Sequence, residues 1–162
     1  EAGPIFSRSC IIRPAEAGGE EHTSLSVEEF AAAREAGKFA LHWESHGLYY
    51  GIDAGMDDWL AQGRTVVLNG SREYLPQAVQ RYPQLIPVLI TVRPEILRIR
   101  LLKRGRESGE AIEARLARAP ALPQVPGLIT LDNSGQLEDA VRLFTDLLLE
   151  ICRTGKELED IR

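Results

Sequence analysis

The chain has 162 residues, of which 44% are hydrophobic, and its 19 basic and 24 acidic side chains give a formal net charge of −5. That charge argues against nucleic-acid binding over a broad face, and no apolar run approaches the roughly 20 residues that a membrane-spanning helix requires. Length and apolar content are sufficient for one domain with a sizeable core.

Cysteine and histidine usage gives no sign of a metal or redox centre. Cys10 and Cys152 lie far apart, and this arrangement suits a reducing compartment better than a disulfide scaffold. His22, His42 and His46 form no metal-binding spacing. We therefore expect a cytoplasmic protein with no protein-bound metal and no nucleic-acid or membrane partner. The oligomeric state stays open, a homodimer included.

The first half of the chain alternates strand and helix signals. A strand is predicted near Ile5–Ile12, and a loop rich in Gly, Pro and Glu follows it. Ser26 stands three residues before Glu29, which is the spacing of a capping box, so a helix is predicted from about Val27 to Ala36. Further strands are predicted at 39–45, 48–51 and 64–70, and a helix at about 54–62.

The second half repeats this rhythm. Pro76 and Pro94 indicate helix starts, because proline is tolerated in the first turn. Buried strands are predicted at 86–92 and 127–133. A last helix has apolar residues at helical spacing, which predicts packing on a sheet: Leu137, Ala140, Val141, Phe144, Leu147, Leu148 and Ile151. Alternating strands and helices predict an α/β fold with a mostly parallel sheet.

Two predicted strands end in polar residues, and parallel strands place ligand sites at their carboxyl ends. The first group is Asn69, Gly70, Ser71 and Arg72, and the second is Asp132, Asn133 and Ser134. The same residue types also serve as ordinary turn and helix-capping residues. Both interpretations stay open for each stretch.

Positive charge is concentrated in residues 93–118, which hold eight basic and four acidic side chains, a net charge of +4 against −9 for the remainder. Within them, "KRGRESGEAIEARLAR" predicts a helix that stops at Gly105 and a second that starts near Ser108. Guanidinium groups on both helices can close over a phosphate chain as a lid, because the planar arginine fork bonds phosphate oxygens in pairs. An alternative is a solvated helix pair with ion pairs such as Glu110 with Arg106 or Arg115.

Several motifs together resemble the guanylate kinase family: "FSRSCIIRP", "GGE", "SVEEF", "GLYYG" and "RLLKRGRESGEAIEARL". The resemblance runs from about Phe6 to Ile151. It implies a P-loop NTPase fold of the nucleoside-monophosphate-kinase type, with a parallel sheet flanked by helices. It also implies a small mixed β insert at about 10–52 that binds the acceptor, and a helical lid at about 100–118.

Departures from that family's pattern point to one branch of it. Glu16 stands where the family has a second phosphate-binding arginine after Arg13, and the glutamate that reads guanine falls at Leu41 or His42. "NGSR", "LYYG" and "RGRES" resemble the relatives that phosphorylate ribose 1,5-bisphosphate to 5-phosphoribosyl 1-diphosphate. A guanylate or related nucleotide kinase and a non-catalytic protein-interaction module stay as alternatives.

The resemblance implies ATP and Mg²⁺ as cofactors and a role for each candidate residue. It assigns phosphate clamping to Arg100, Arg104, Arg106 and Arg115, acceptor binding to Arg13, Glu20, Tyr50, Asn69, Ser71 and Arg72, and ATP binding to Arg104 and Asn133. The family's phosphate loop, G-x-x-x-x-G-K-[ST], does not occur in these 162 residues. We expect that loop and its strand to precede Phe6 in the natural protein, with the strand between residues 65–69 and 87–92 of the sheet.

Overall fold

The computed structural model describes residues 3–12, 22–45, 47–105, 107–117 and 122–154. The strands in these ranges are β1 (Ile5–Phe6), β2 (Ser9–Ile11), β3 (His22–Ser24), β4 (Phe39–Ser45), β5 (Leu48–Asp53), β6 (Val66–Val67), β7 (Val88–Thr91) and β8 (Ile129–Asp132). The helices are α1 (Val27–Glu35), α2 (Gly55–Ala61), α3 (Leu75–Arg81), α4 (Pro94–Arg104), α5 (Gly109–Ala117) and α6 (Leu137–Thr154). No helix in the described ranges combines the length and apolarity needed to cross a bilayer.

Four strands form a mixed sheet in the order β3-β2-β5-β4, in which β2 and β3 are parallel and the other pairs antiparallel. Side chains alternate between the two faces, as strand geometry requires. In β4, Leu41 and Trp43 are buried, whereas His42 and Glu44 are exposed. The buried face joins a core cluster with α2 and α3. This packing fixes the mixed sheet against the rest of the chain.

The parallel strands form two pairs. β1 pairs with β6, and β7 pairs with β8 in a register that sets Val88 opposite Ile129 and Thr91 opposite Asp132. Among the described residues these pairs are separate two-stranded sheets. The carboxyl ends of β6 and β8 lead directly into the two polar stretches noted in the sequence.

Local signals in the sequence predicted the helix ends well. The Ser26 hydroxyl accepts a hydrogen bond from the Glu29 N–H at 3.1 Å, and the Glu29 carboxylate accepts one from the Ser26 N–H at 2.8 Å. Gly105 ends α4 with a left-handed φ of 66°, which only glycine adopts at little cost. The capping box and the helix stop are both confirmed.

Three expectations were wrong or incomplete. The strand predicted at Ile5–Ile12 is divided, because β1 pairs with β6 and β2 pairs in the mixed sheet. The strand His22–Ser24 lay in a predicted loop, because its residues are polar and show no apolar alternation; among the described residues it pairs with β2 alone. In α6, Ala140 is buried as expected, but Leu137 and Val141 are 61% and 54% exposed.

A close approach in the mixed sheet allows a stability test. A Cβ added to Gly51 would lie 2.6 Å from the Phe39 ring, and that ring is packed against Phe30 with centroids 4.7 Å apart. Gly51→Ala should therefore lower the free energy of unfolding by about 1–3 kcal/mol, as overpacked cores do. Urea unfolding measures this. Gly109→Ala is the control, because its Cβ would meet no described atom within 4 Å; equal stability of the two variants would contradict the overpacking.

Candidate active site

The α4–α5 hairpin is held together by a small apolar contact and by charges. Leu101 of α4 and Ile112 of α5 are buried, and Arg98 forms an ion pair with Glu113 between the same two helices. The Ser108 hydroxyl accepts a hydrogen bond from the Ala111 N–H at 3.2 Å, which caps the start of α5. The predicted pair of helices with a glycine-containing turn is therefore confirmed.

Two of the predicted lid arginines meet at one carboxylate oxygen in the α4–α5 turn. Arg104 Nη2 donates to Glu107 Oε1 at 2.7 Å, and Arg115 Nη1 donates to the same oxygen at 2.9 Å. In the alternative interpretation Glu110 pairs with Arg106 or Arg115, but Arg115 pairs with Glu107 instead, and Arg106 lies outside the described residues. Two guanidinium groups within hydrogen-bond reach of one oxygen form an oxyanion-binding arrangement.

Arg100 points away from that arrangement and holds the loop after β8. Its Nη1 donates to the Asn133 carbonyl oxygen at 2.6 Å, and its Nη2 donates to the Gly135 carbonyl oxygen at 2.9 Å. The Asn133 N–H in turn donates to the Thr91 carbonyl oxygen at 2.7 Å. Arg100 therefore joins α4 to the carboxyl end of β8, a supporting contact that the sequence did not reveal.

Asp132 and Ser134 form a compact turn at the same place. The Ser134 N–H and hydroxyl both donate to Asp132 Oδ1, and the Ser134 hydroxyl accepts from the Arg93 N–H at 2.8 Å. The hydroxyl bond is the main reason that the pKa of Asp132 is lowered, with smaller contributions from the Arg93 and Arg100 charges. For these two residues the turn interpretation is confirmed. Asn133 differs, because its buried Oδ1 has no hydrogen-bond partner among the described residues.

Aromatic side chains fill the space between the mixed sheet and α3. The Trp43 ring stacks with Tyr50 at 5.5 Å and with Tyr74 at 5.4 Å, at interplanar angles of 1° and 21°. Leu41 belongs to the same cluster and is 2% exposed. Nearby, the Tyr82 hydroxyl donates a hydrogen bond to the Asp57 carboxylate at 2.7 Å. Burial is the main cause that raises the pKa of Tyr82 to about 12, and the Asp57 carboxylate is the second. The predicted acceptor residue Tyr50 thus lies in an apolar stack.

The remaining candidates fall into two groups. Asn69, Ser71 and Arg72 follow β6, where Asn69 is exposed and the other two are half-buried. Arg13, Glu20 and Arg106 lie outside the described residues.

Curated proteins of high similarity cover nearly the whole chain. The chain is 48% identical to ribose 1,5-bisphosphate phosphokinase PhnN of Desulfomicrobium baculatum over 158 residues. This alignment covers 97% of the chain and 84% of that protein. The chain belongs to the ribose 1,5-bisphosphate phosphokinase family. The enzyme of the same name from Chromobacterium violaceum is 47% identical, over 96% of the chain and 82% of that protein. The one from Pseudomonas paraeruginosa is 53% identical, over 86% of the chain and 80% of that protein.

The solved structures give the fold of this ribose 1,5-bisphosphate phosphokinase family member. Guanylate kinase from Anaplasma phagocytophilum superposes with a TM-score of 0.66 at 20% identity, covering 96% of the chain and 80% of that structure. The predicted guanylate-kinase-like α/β fold is confirmed. No family model matches the chain.

Sequence reasoning missed two residues of the candidate site. Glu107 had no role beyond being one of the acids near the lid, although it lies three residues after Arg104, close enough in sequence for the two side chains to meet across a short turn. Trp43 carried no functional assignment, and its contact with Tyr74 joins segments 31 residues apart. Only the first of these had a local signal in the sequence.

The two hydrogen bonds from Arg100 to the loop after β8 depend on the planar shape of the guanidinium group. Arg100→Lys keeps the charge but cannot reach two carbonyl oxygens with a planar fork, so it should cost about 1–2 kcal/mol of stability and speed amide hydrogen exchange at residues 133–135. Arg98→Lys is the matched control on the same helix, because the contact of Arg98 within the described part of the chain is an exposed ion pair with Glu113, which contributes little to stability. Unchanged exchange in Arg100→Lys would contradict the supporting role.

Proposed function

We propose that the chain transfers the γ-phosphoryl group of ATP to ribose 1,5-bisphosphate and forms 5-phosphoribosyl 1-diphosphate. The observation that carries the proposal is the convergence of Arg104 and Arg115 on one oxyanion, in a chain 48% identical to an enzyme named for this substrate. In this reaction an oxygen of the 1-phosphate attacks the γ-phosphorus, the bond from the γ-phosphorus to the bridging oxygen breaks, and ADP leaves.

The chemistry needs charge neutralisation more than proton transfer. A phosphate monoester has its second pKa near 6, so the attacking oxygen is already ionised at neutral pH and requires no general base. Phosphoryl transfer is then mostly positioning and electrostatic stabilisation, to which an arginine contributes about 10³–10⁵ in rate. Arg104, Arg106 and Arg115 supply that charge from the lid. Arg100 is assigned to the same clamp through the β8 loop that it holds.

The donor site is assigned to the loop after β8. Asn133 lies in this loop, and its buried Oδ1 has no hydrogen-bond partner among the described residues; by resemblance to the guanylate kinases we assign the residue to the adenine of ATP. Arg104 would bind the ATP phosphates. Mg²⁺ would bind together with ATP and reduce the charge of those phosphates.

The acceptor site is assigned to the mixed sheet and the end of β6. Arg13 and Glu20, together with Tyr50, would hold the ribose phosphate on the sheet side, and Asn69, Ser71 and Arg72 would approach it from β6. Specificity for a small acceptor is supported at the position that reads guanine in guanylate kinases, which by resemblance falls at Leu41 or His42; Leu41 is buried in the core cluster. A site that selects a nucleobase needs polar partners for it, and Leu41 offers none.

A guanylate kinase shares the fold at 20% identity, and that similarity extends to the fold alone. A non-catalytic interaction module is disfavoured by the clustered lid arginines, because a protein ligand gives no reason to neutralise a polyphosphate.

The acceptor assignment is tested by a direct comparison of substrates. With Mg-ATP, the full-length natural protein should phosphorylate ribose 1,5-bisphosphate far faster than GMP, because the glutamate that reads guanine is replaced at Leu41 or His42 and the second phosphate-binding arginine is replaced by Glu16. ADP release with each acceptor at equal concentration measures this. Comparable or faster turnover with GMP would make the chain a nucleotide kinase.

The lid assignment is tested at Arg115, whose side chain is 54% exposed. Arg115→Ala should lower kcat by about 10³ or more and change the free energy of unfolding by no more than about 1 kcal/mol, as for other exposed ion pairs. Arg142→Ala is the matched control, because it removes an exposed i,i+3 ion pair with Asp139 on α6 and should leave turnover intact. Parallel loss of folding and activity in Arg115→Ala would refute the lid role.

A further inference from the structure

Glu107 is placed differently from the other acids of the α4–α5 hairpin. It lies in the turn between the helices, and its side chain is 26% exposed, compared with 54% for Glu113. Its Oε1 accepts hydrogen bonds from two arginines that belong to different helices, Arg104 and Arg115. A single carboxylate oxygen therefore occupies the point at which two guanidinium groups converge.

We propose that Glu107 is a positioning residue that acts as an internal substitute for phosphate, holding Arg104 and Arg115 in place until a substrate phosphate displaces it. This inference rests on the proposed function, which assigns the two arginines to phosphate binding. The carboxylate and the phosphate present the same chemistry to the arginines, namely an anionic oxygen that accepts charge-assisted hydrogen bonds.

Replacement of the Glu107 carboxylate by a substrate phosphate affects both the two arginines and the affinity for the ligand. Without an anion between them, the like charges of Arg104 and Arg115 would repel each other, and Glu107 offsets this repulsion in the absence of substrate. The arginine side chains are 44% and 54% exposed, and exposed ion pairs are weak, so phosphate can replace the carboxylate. Part of the binding energy of the arginines is then cancelled by the lost ion pairs. The displaced carboxylate, still close by, also favours release of anionic product.

A purely structural interpretation is that Glu107 only braces α4 against α5. The hairpin provides a comparison, since Arg98 and Glu113 form a second ion pair between the same helices without contacting Arg104 or Arg115. Glu107→Gln and Glu113→Gln remove the same charge and each break an α4–α5 brace. Only the first releases the phosphate-binding arginines.

The experiment compares these two variants in the full-length natural protein by ATP titration calorimetry and by steady-state kinetics with ribose 1,5-bisphosphate. In Glu107→Gln, the Kd and KM for ATP should fall roughly fivefold, since the two lost ion pairs together are a competitor of about that strength, and the dissociation rate of ADP should fall. Glu113→Gln should stay within about twofold of wild type for ATP affinity. Glu107→Asp, which keeps the charge on a shorter side chain, should lie between wild type and Glu107→Gln and covers the case in which glutamine prevents folding.

Weaker or unchanged ATP binding in Glu107→Gln, or an equal effect of Glu113→Gln, would overturn the inference and leave Glu107 as a brace. The proposed function fails separately. Absence of turnover of ribose 1,5-bisphosphate by the wild type would refute the substrate assignment, whereas ATP titration of the variants would still decide the role of Glu107.

Discussion

Guanidinium groups on α4 bond in two directions, and the candidate site depends on this arrangement. Arg100 bonds two carbonyl oxygens of the loop after β8, and one turn later Arg104 bonds the carboxylate between α4 and α5. The first contact fixes the helix to the carboxyl end of a parallel strand, and the second fixes the lid to the helix. Arginine suits both connections, because its planar cation carries several N–H donors that can bond neighbouring oxygens at the same time.

The mixed sheet and the lid obtain their order from different physical sources. Burial of Leu41, Trp43 and Ile52 against α2 and α3 gives the sheet a rigid base, because apolar area leaves water at a gain of about 25 cal/mol per Å². The hairpin of α4 and α5 buries little more than Leu101 and Ile112 and depends on exposed ion pairs. An element held mainly by weak surface charges can rearrange around a charged ligand at small cost.

The sequence was most informative where structure depends on neighbouring residues. The Ser26–Glu29 capping box and the glycine that ends α4 were predictable, because both signals lie within a few residues. The division of the first predicted strand was not, since β1 and β2 differ only in which distant strand each meets. In the candidate site, the lid arginines followed from composition and spacing, but the choice of Glu107 over Glu110 as their partner depended on the geometry of the turn.

The aromatic stack around Trp43 gives the molecule an optical reporter. Rings at 5.4–5.5 Å are close enough for their electronic transitions to couple, so the near-ultraviolet circular dichroism of Trp43 and the tyrosines depends on their relative orientation. Because Tyr50 lies in β5 and Tyr74 directly precedes α3, a change in this signal would register movement of the mixed sheet relative to α3. The chain has one other tryptophan, Trp59, so a Trp59→Phe variant would isolate the signal of the stack.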